Sequence, residues 1–207
     1  MNLLVNGCSF TAGTIESLNG DFSKTWPNVT GHNIVDLSMK GSSNDRIVRT
    51  TVNYLVDNHP DFVVIQWTLP QRYEYTEDGA IKQALVPAPT DKGIKIYNDQ
   101  RLLTQIYLIQ TLLESKGIPY GFILWRSLHR ETYRSKLWST INTECIINCE
   151  GGYIIGMCEL LHNNGHKLSN VPIIGHEDVL DKHYMADGHQ FIANLVNEYI
   201  KDTLDGT

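Results

Sequence analysis

Residues 3–10 read Leu3-Leu4-Val5-Asn6-Gly7-Cys8-Ser9-Phe10, a short apolar run followed directly by a glycine and a serine. The apolar run predicts a short buried strand, so Ser9 stands where that strand ends. Near the other end of the chain, Asp181 and His183 are followed by Gly188-His189. Serine becomes a nucleophile at neutral pH when a histidine takes its proton and an acid orients that histidine. The two ends of the chain therefore hold the residue types of a nucleophilic serine site, provided that the fold brings them together.

The composition is that of a soluble globular protein. The chain has 207 residues, of which 42% are hydrophobic and 19% are charged, and this suits one domain spanning 1–207. Its formal charge of −6 argues against nucleic-acid binding, which normally uses a basic face. No apolar run has the length of a signal peptide core or a membrane span, so we expect no membrane association and a cytoplasmic location. The four cysteines are too few for a disulfide scaffold and are expected to be core thiols.

Strand-like and helix-like runs alternate along the chain. The predicted strands lie at 2–5, 33–37, 62–67 and 118–125, and the predicted helices at 45–58, 97–116 and 188–201. This order predicts a three-layer α/β/α sandwich with a mostly parallel central sheet. Ligands of such sheets gather at the carboxyl ends of the strands, where Ser9, Gly41 and Thr68 follow the first three strands. The stretch from Thr68 to Gly93 is long for a plain connection and is expected to be a functional flap. Residues 126–180 have little readable pattern, with helices expected near Trp138 and Leu160 and a strand near Ile173.

Three short motifs resemble the sequence blocks of the SGNH, or GDSL, hydrolases. Gly7-Cys8-Ser9-Phe10 is similar to the first block, and Asp36 to Asn44 is similar to the second, with Gly41 in the place of its glycine. Residues 181–193 resemble the terminal block, in which an Asp and a His are followed by Gly-His/Tyr-x-x-Ile-Ala. The resemblance runs from residue 7 to residue 193 in the family's order, and it implies a flavodoxin-like fold.

The resemblance also implies catalytic roles. Ser9 is the implied nucleophile, His183 the general base and Asp181 the acid that orients the base. The family's usual spacing puts the acid three residues before the histidine, where this chain has Leu180. A shorter Asp-x-His form fits Asp181, and Asp178 is the reserve.

The oxyanion hole is the part of the site that departs from the family pattern. The family uses main-chain N–H groups, here those of Ser9 and Gly41, to stabilise the charge that develops on the substrate oxygen. It also uses an asparagine from a Gly-x-Asn-Asp block after the third strand. This chain has Trp67-Thr68-Leu69-Pro70-Gln71-Arg72-Tyr73-Glu74 there, with no asparagine. The candidates for the missing donor are Asn44, Thr68 and Gln71.

Arg72 lies in the same altered stretch and has two interpretations. Its guanidinium offers fixed donors that suit an anionic or polar group of a substrate. Alternatively, it forms a salt bridge with Glu74 or another carboxylate. The sequence leaves both open.

Together these residues favour a serine hydrolase that cleaves an acyl ester, such as an O-acetylated carbohydrate or another small ester, without a cofactor. With an alcohol in place of water, the same site would be an acyltransferase. The altered third block keeps open a non-catalytic binding domain of the same fold. A metal-dependent hydrolase built on the C-terminal histidines is a weaker alternative, because Asn163-Asn164-Gly165 is poor helix material between His162 and His166. His189 is expected to support the last helix.

Overall fold

The centre of the fold is a four-stranded parallel sheet. The computed structural model describes residues 1–78, 80–85, 91–169, 172–173, 176–180 and 183–206, and for Leu85, 172–173 and 176–180 it describes the main chain only. The described strands are β1 (Asn2–Asn6), β2 (Asn33–Asp36), β3 (Phe62–Trp67), β4 (Arg72–Glu77), β5 (Ala80–Leu85), β6 (Tyr120–Leu124), β7 (Cys149–Glu150), β8 (Tyr153–Ile154), β9 (Pro172–Ile173) and β10 (His176–Leu180). The central sheet has the order β2-β1-β3-β6, so the four strands predicted from sequence are confirmed and β1 lies inside the sheet.

Helices cover both faces of this sheet. The described α-helices are α1 (Ser9–Ala12), α2 (Ile15–Leu18), α3 (Asn44–Asp57), α4 (Lys92–Ser115), α5 (Met157–Asn163) and α6 (Ala186–Asp205). The apolar side chains of α3 and α4 pack with one face of β1 and β3, represented by Leu4, Val63 and Ile65. Those of α5 and α6 pack with the other face, represented by Leu3 and Val64. The predicted three-layer α/β/α architecture is confirmed.

The two long helices on the first face begin at side-chain caps. The side chain of Ser43 accepts the N–H of Arg46, so Ser43 is the N-terminal cap of α3. The side chain of Asp91 accepts the N–H of Ile94 and starts α4 at Lys92, five residues before the predicted start at Tyr97. Gly93 within the first turn is a poor helix former, which conceals this start in the sequence.

The described part of the long connection after β3 contains a β-hairpin. Strands β4 and β5 pair antiparallel from Arg72–Leu85 to Glu77–Ala80. The hairpin is joined to α3 by Glu74, whose carboxylate accepts two hydrogen bonds from the Arg49 guanidinium at 2.8 and 3.1 Å. The expected flap is therefore a regular element tied to the body of the domain.

The stretch that the sequence left without a clear pattern contains several short elements. The helices expected near Trp138 and Leu160 are a 3-10 turn at Trp138–Thr140 and α5, and the strand expected near Ile173 is β9. Next to β6, the N–H of Ile147 donates to the carbonyl of Phe122 at 2.8 Å. Among the described helices, none combines the length and the apolar character that a membrane span requires.

Candidate active site

The turn after β1 places a serine at the start of α1. Gly7 is required there by close packing, because a Cβ at this position would lie 2.1 Å from Oγ1 of Thr11. The carbonyl of Cys8 accepts the N–H groups of Thr11 and Ala12, each at 2.9 Å, and this closes the short helix that begins with Ser9. Ser9 is 6% exposed, so its hydroxyl lies in a nearly closed site at the carboxyl edge of the sheet.

The structure brings Ser9 and His183 together. Oγ of Ser9 lies 2.7 Å from Nε2 of His183, a hydrogen-bond distance across 174 positions of sequence. A histidine at this distance can take the hydroxyl proton as the oxygen attacks an electrophile. The contact therefore has the geometry of an activated nucleophile.

The main chain around His183 is fixed by two contacts. The His183 carbonyl accepts the N–H of Ser169 at 2.9 Å, and Tyr184 forms an antiparallel bridge with Leu168. Tyr184 in turn packs against Gly188 at the start of α6, where a Cβ would lie 2.8 Å from that of Tyr184. The glycine of the terminal motif thus lets α6 approach the segment that carries the histidine.

The imidazole ring of His183 has an aromatic neighbour that sequence reasoning did not identify. The ring centroid of Phe10 lies 4.6 Å from that of His183, and on the other side it lies 3.5 Å from that of Trp125. The Phe10 and Trp125 rings are nearly parallel, at 16°. Phe10 belongs to the first motif, but its contact with His183 depends on tertiary structure, which no sequence pattern encodes.

Asp181, the proposed acid, lies outside the described residues. For Asp178, the reserve, the structure describes only the main chain, within β10. The choice between the two carboxylates stays a prediction.

His189 has a contact that fits the expected structural role. Its Nδ1 accepts the main-chain N–H of Trp26 at 3.1 Å, and the side chain is 2% exposed. Burial, with a smaller contribution from the nearby His183, lowers the pKa of His189 to about 4. His189 is therefore neutral near pH 7 and joins α6 to the segment around Trp26.

The loop after β2 lies next to the nucleophile turn. The N–H of Met39 donates to the carbonyl of Gly7 at 3.3 Å, so the β1–β2 pairing continues beyond both strands. Gly41 has a φ of +76°, a conformation that favours glycine. The N–H groups of Ser9 and Gly41 donate to no acceptor within the described parts of the chain. Both remain available as oxyanion donors.

Two candidates for the missing oxyanion donor are engaged with each other. Oδ1 of Asn44 accepts the N–H of Thr68 at 2.9 Å, and Nδ2 of Asn44 donates to the carbonyl of Thr68 at 3.2 Å. This pair links the start of α3 to the end of β3. The hydroxyl of Thr68 is buried and has no partner among the described residues, and the side chain of Gln71 is half-buried.

Arg72 does not pair with Glu74. Glu74 binds Arg49 and Gln83 instead, whereas Nη1 of Arg72 lies 3.4 Å from the carbonyl of Ser42, which it can reach as a donor. The salt-bridge interpretation with Glu74 is wrong. Arg72 instead spans from the loop after β3 to the loop after β2.

The C-terminal histidines have separate contacts. Nδ1 of His166 lies 2.9 Å from a carboxylate oxygen of Asp187, whereas His183 and His189 contact Ser9 and Trp26. Within the described parts of the chain, no three His, Cys, Asp or Glu side chains are grouped as a metal site would need.

Known structures share this fold over nearly the whole chain. A protein assigned to the G-D-S-L lipolytic family from Desulfitobacterium hafniense is 12% identical, with a TM-score of 0.52, over 96% of this chain and 98% of that one. The esterase EstA from Pseudoalteromonas, in a structure inhibited by monoethylphosphonate, is 10% identical, with a TM-score of 0.54, over 99% and 98%.

A third structure is a carbohydrate esterase whose active site has divergent catalytic and non-catalytic binding functions. It is 14% identical, with a TM-score of 0.55, over 97% of this chain and 68% of that one. No protein-family model and no curated protein matches the chain. These likenesses establish the SGNH/GDSL hydrolase fold, which the sequence motifs implied.

Proposed function

We propose that this chain, which has the SGNH/GDSL hydrolase fold, is a serine esterase that cleaves acyl esters through Ser9, His183 and Asp181. The observation that carries the proposal is the 2.7 Å separation between Oγ of Ser9 and Nε2 of His183. An esterase and a carbohydrate esterase have the same fold, which agrees with the proposal.

In the proposed reaction, Ser9 donates its hydroxyl proton to Nε2 of His183 as Oγ attacks the ester carbonyl. This requires the neutral imidazole to carry its proton on Nδ1, and Asp181 would accept a hydrogen bond from that N–H. His183 then returns the proton to the leaving alcohol, and an acyl-enzyme remains. Water activated by the same histidine releases the acid, whereas an alcohol acceptor would make the reaction an acyl transfer.

The negative charge of the tetrahedral intermediate needs donors that are in place before the reaction. The N–H groups of Ser9 and Gly41 fit this role because both residues follow strands at the same sheet edge and neither N–H has a described acceptor. Such donors act strongly in a site from which water is largely excluded. The near-complete burial of Ser9 favours this condition.

An acylated carbohydrate is the substrate class that we favour, because a protein of this fold is a carbohydrate esterase. The second candidate function is ligand binding without turnover. It is favoured by the absence of an asparagine from residues 67–74, and the active site of that same esterase includes non-catalytic binding functions.

Covalent labelling tests the esterase directly. A fluorophosphonate should label the wild-type protein, and Ser9→Ala and His183→Ala should abolish labelling, whereas Ser139→Ala at an exposed position should not. Ser9→Ala and His183→Ala should also lose activity on p-nitrophenyl acetate, and Ser139→Ala should keep it. Labelling that survives in Ser9→Ala would exclude the proposed nucleophile, and labelling of Ser9 without turnover on a panel of acylated sugars would favour the binding function.

A further inference from the structure

Two arginine side chains converge on Ser42, in the loop after β2. Nη1 of Arg72 lies 3.4 Å from the Ser42 carbonyl, and Nη1 of Arg46 donates to the Ser42 hydroxyl at 3.2 Å. Nη1 of Arg46 also donates to the Leu37 carbonyl at 2.9 Å. All of these acceptors are neutral, so the hydrogen bonds leave both positive charges without a counter-charge.

Three other arginines of the chain form ion pairs: Arg49 with Glu74, Arg101 with Asp45, and Arg126 with Asp99. For Arg46 and Arg72, no carboxylate of the described residues lies within ion-pair distance.

Three acidic side chains near these arginines accept hydrogen bonds from other groups. The Glu74 carboxylate accepts from Arg49 and Gln83, the Asp45 carboxylate accepts from Arg101, from Gln105 and from the Glu74 N–H, and the Asp36 carboxylate accepts from the Ser38 N–H. Burial and the nearby Arg49 lower the pKa of Arg46, and the opposing effects of Glu74 and Asp36 are smaller. In a chain with a formal charge of −6, two arginines that form no ion pair with a described residue are a local concentration of positive charge.

The loop that both arginines contact also contacts the nucleophile turn. Ser42 directly follows Gly41, and its hydroxyl and N–H both bond to the carbonyl of Met39. Met39 is the residue that pairs with Gly7, two positions before Ser9. Arg72 is half-buried and approaches the same loop from the start of β4.

We infer that Arg72, with Arg46 behind it, forms a subsite for an anionic group, so that the substrate is an ester carrying a carboxylate or a phosphate. This inference rests on the proposed esterase function and adds the charge of its substrate. A guanidinium suits such a group because its donors match two anionic oxygens, and an anion there would supply the missing counter-charge.

Holding the hairpin in place does not require Arg72. Glu74 already joins the hairpin to Arg49, the side chain of Gln83 accepts the Ser43 N–H at 2.6 Å, and Tyr73 donates to Asn98 at 2.9 Å. A single 3.4 Å contact to a carbonyl adds little to these bonds. A purely structural role would also affect neutral and anionic substrates equally.

Matched ester pairs test the subsite and locate the anion. On the acyl side, p-nitrophenyl butyrate is compared with mono-p-nitrophenyl succinate, which replaces the terminal methyl with a carboxylate. On the alcohol side, an acetylated methyl glucoside is compared with the corresponding glucuronide. We expect kcat/KM to favour the anionic member by about tenfold on one side, and this preference to shrink as salt is added.

Arg72→Gln should remove the preference, and Arg72→Lys should keep part of it because the charge remains without the planar fork. The control is Lys116→Gln, which makes the same charge change at the end of α4, at the opposite edge of the sheet. A preference that persists in Arg72→Gln, or no preference on either side, overturns the subsite. Thermal unfolding of each variant shows whether it is folded.

A binding measurement separates this inference from the esterase function. Titration calorimetry with both matched ester pairs on the Ser9→Ala protein needs no turnover. Tighter binding of the anionic member of either pair that is lost on adding Arg72→Gln supports the subsite even if no ester is cleaved. Equal affinity within both pairs overturns the subsite even if the protein is an esterase.

Discussion

The ring of Phe10 lies 4.6 Å from the imidazole of His183, at an interplanar angle of 37°. Phe10 follows Ser9 directly, so one turn supplies both the proposed nucleophile and a surface that limits the rotation of the proposed base. Trp125, at the end of β6, supports the far side of the Phe10 ring. The position of His183 therefore depends on two strands as well as on its own segment.

Replacing Phe10 should therefore slow the reaction without weakening substrate binding. We expect Phe10→Leu to lower kcat about two- to tenfold, the range that an aromatic contact of about 0.5–1.5 kcal/mol supports, with little change in KM. Phe10→Tyr keeps the ring and should retain most of the activity. Steady-state kinetics on p-nitrophenyl acetate measure both, and a change confined to KM would contradict the positioning role.

The buried His189 should make stability depend on pH. Its pKa is about 4 in the folded protein, compared with 6.5 for an unperturbed histidine. Between these values the unfolded chain binds more protons, so the free energy of unfolding falls as the pH drops from 6.5 to 4. The contribution is fully present above pH 6.5 and amounts to about 3 kcal/mol.

Urea unfolding at pH 7 and pH 4.5 measures this dependence. His189→Asn keeps an acceptor for the Trp26 N–H but does not titrate, so its stability should fall less than that of the wild type between the two pH values. His59→Asn, at an exposed position, should behave like the wild type. Equal pH dependence in the wild type and His189→Asn would show that His189 does not carry the effect.

Two glutamates of the hairpin, Glu74 and Glu77, form ion pairs but differ in exposure, so the same substitution at each should have different effects. The Glu74 side chain is only 12% exposed, and Glu74→Gln removes the negative charge that binds Arg49. We therefore expect the free energy of unfolding to fall by about 1–2 kcal/mol. Glu77→Gln affects a pair with Lys82 in which Glu77 is 54% exposed, and it should cost less than about 0.5 kcal/mol. Thermal unfolding compares them. Similar losses would mean that the Arg49 contact adds no stability beyond an exposed pair.

The sequence predicted the elements that have strong local patterns. Strand β3 consists almost entirely of apolar residues, and α3 has both an apolar stripe and a capping serine, so neither needs tertiary information. The hairpin was missed although its turn contains Asp78-Gly79, a recognised hairpin signal. Asp78 has a φ of +52°, which such turns require.

Part of the candidate site was also predictable, because two of its residues lie in recognisable motifs. Ser9 and His183 belong to ordered motifs, and the parallel sheet explains how the ends of the chain can meet. The partners of Arg72 and Phe10 were not predictable, because they depend on how the hairpin and β6 approach the nucleophile turn. Arg72 and Glu74 are alternate residues of β4 and therefore face the same side of the strand. The Glu74 carboxylate nevertheless binds Arg49 on α3 and not Arg72.

The choice between Asp181 and Asp178 can be settled by kinetics. A carboxylate that accepts the Nδ1–H of His183 holds the tautomer in which Nε2 can take the Ser9 proton, and replacing such an acid with an amide lowers kcat by about 10⁴. We therefore expect a loss of this size in Asp181→Asn and less than about tenfold in Asp178→Asn. The rate of fluorophosphonate labelling should follow kcat, because it needs the same activated hydroxyl. The reverse pattern would make Asp178 the acid, and small effects in both variants would mean that neither carboxylate orients His183.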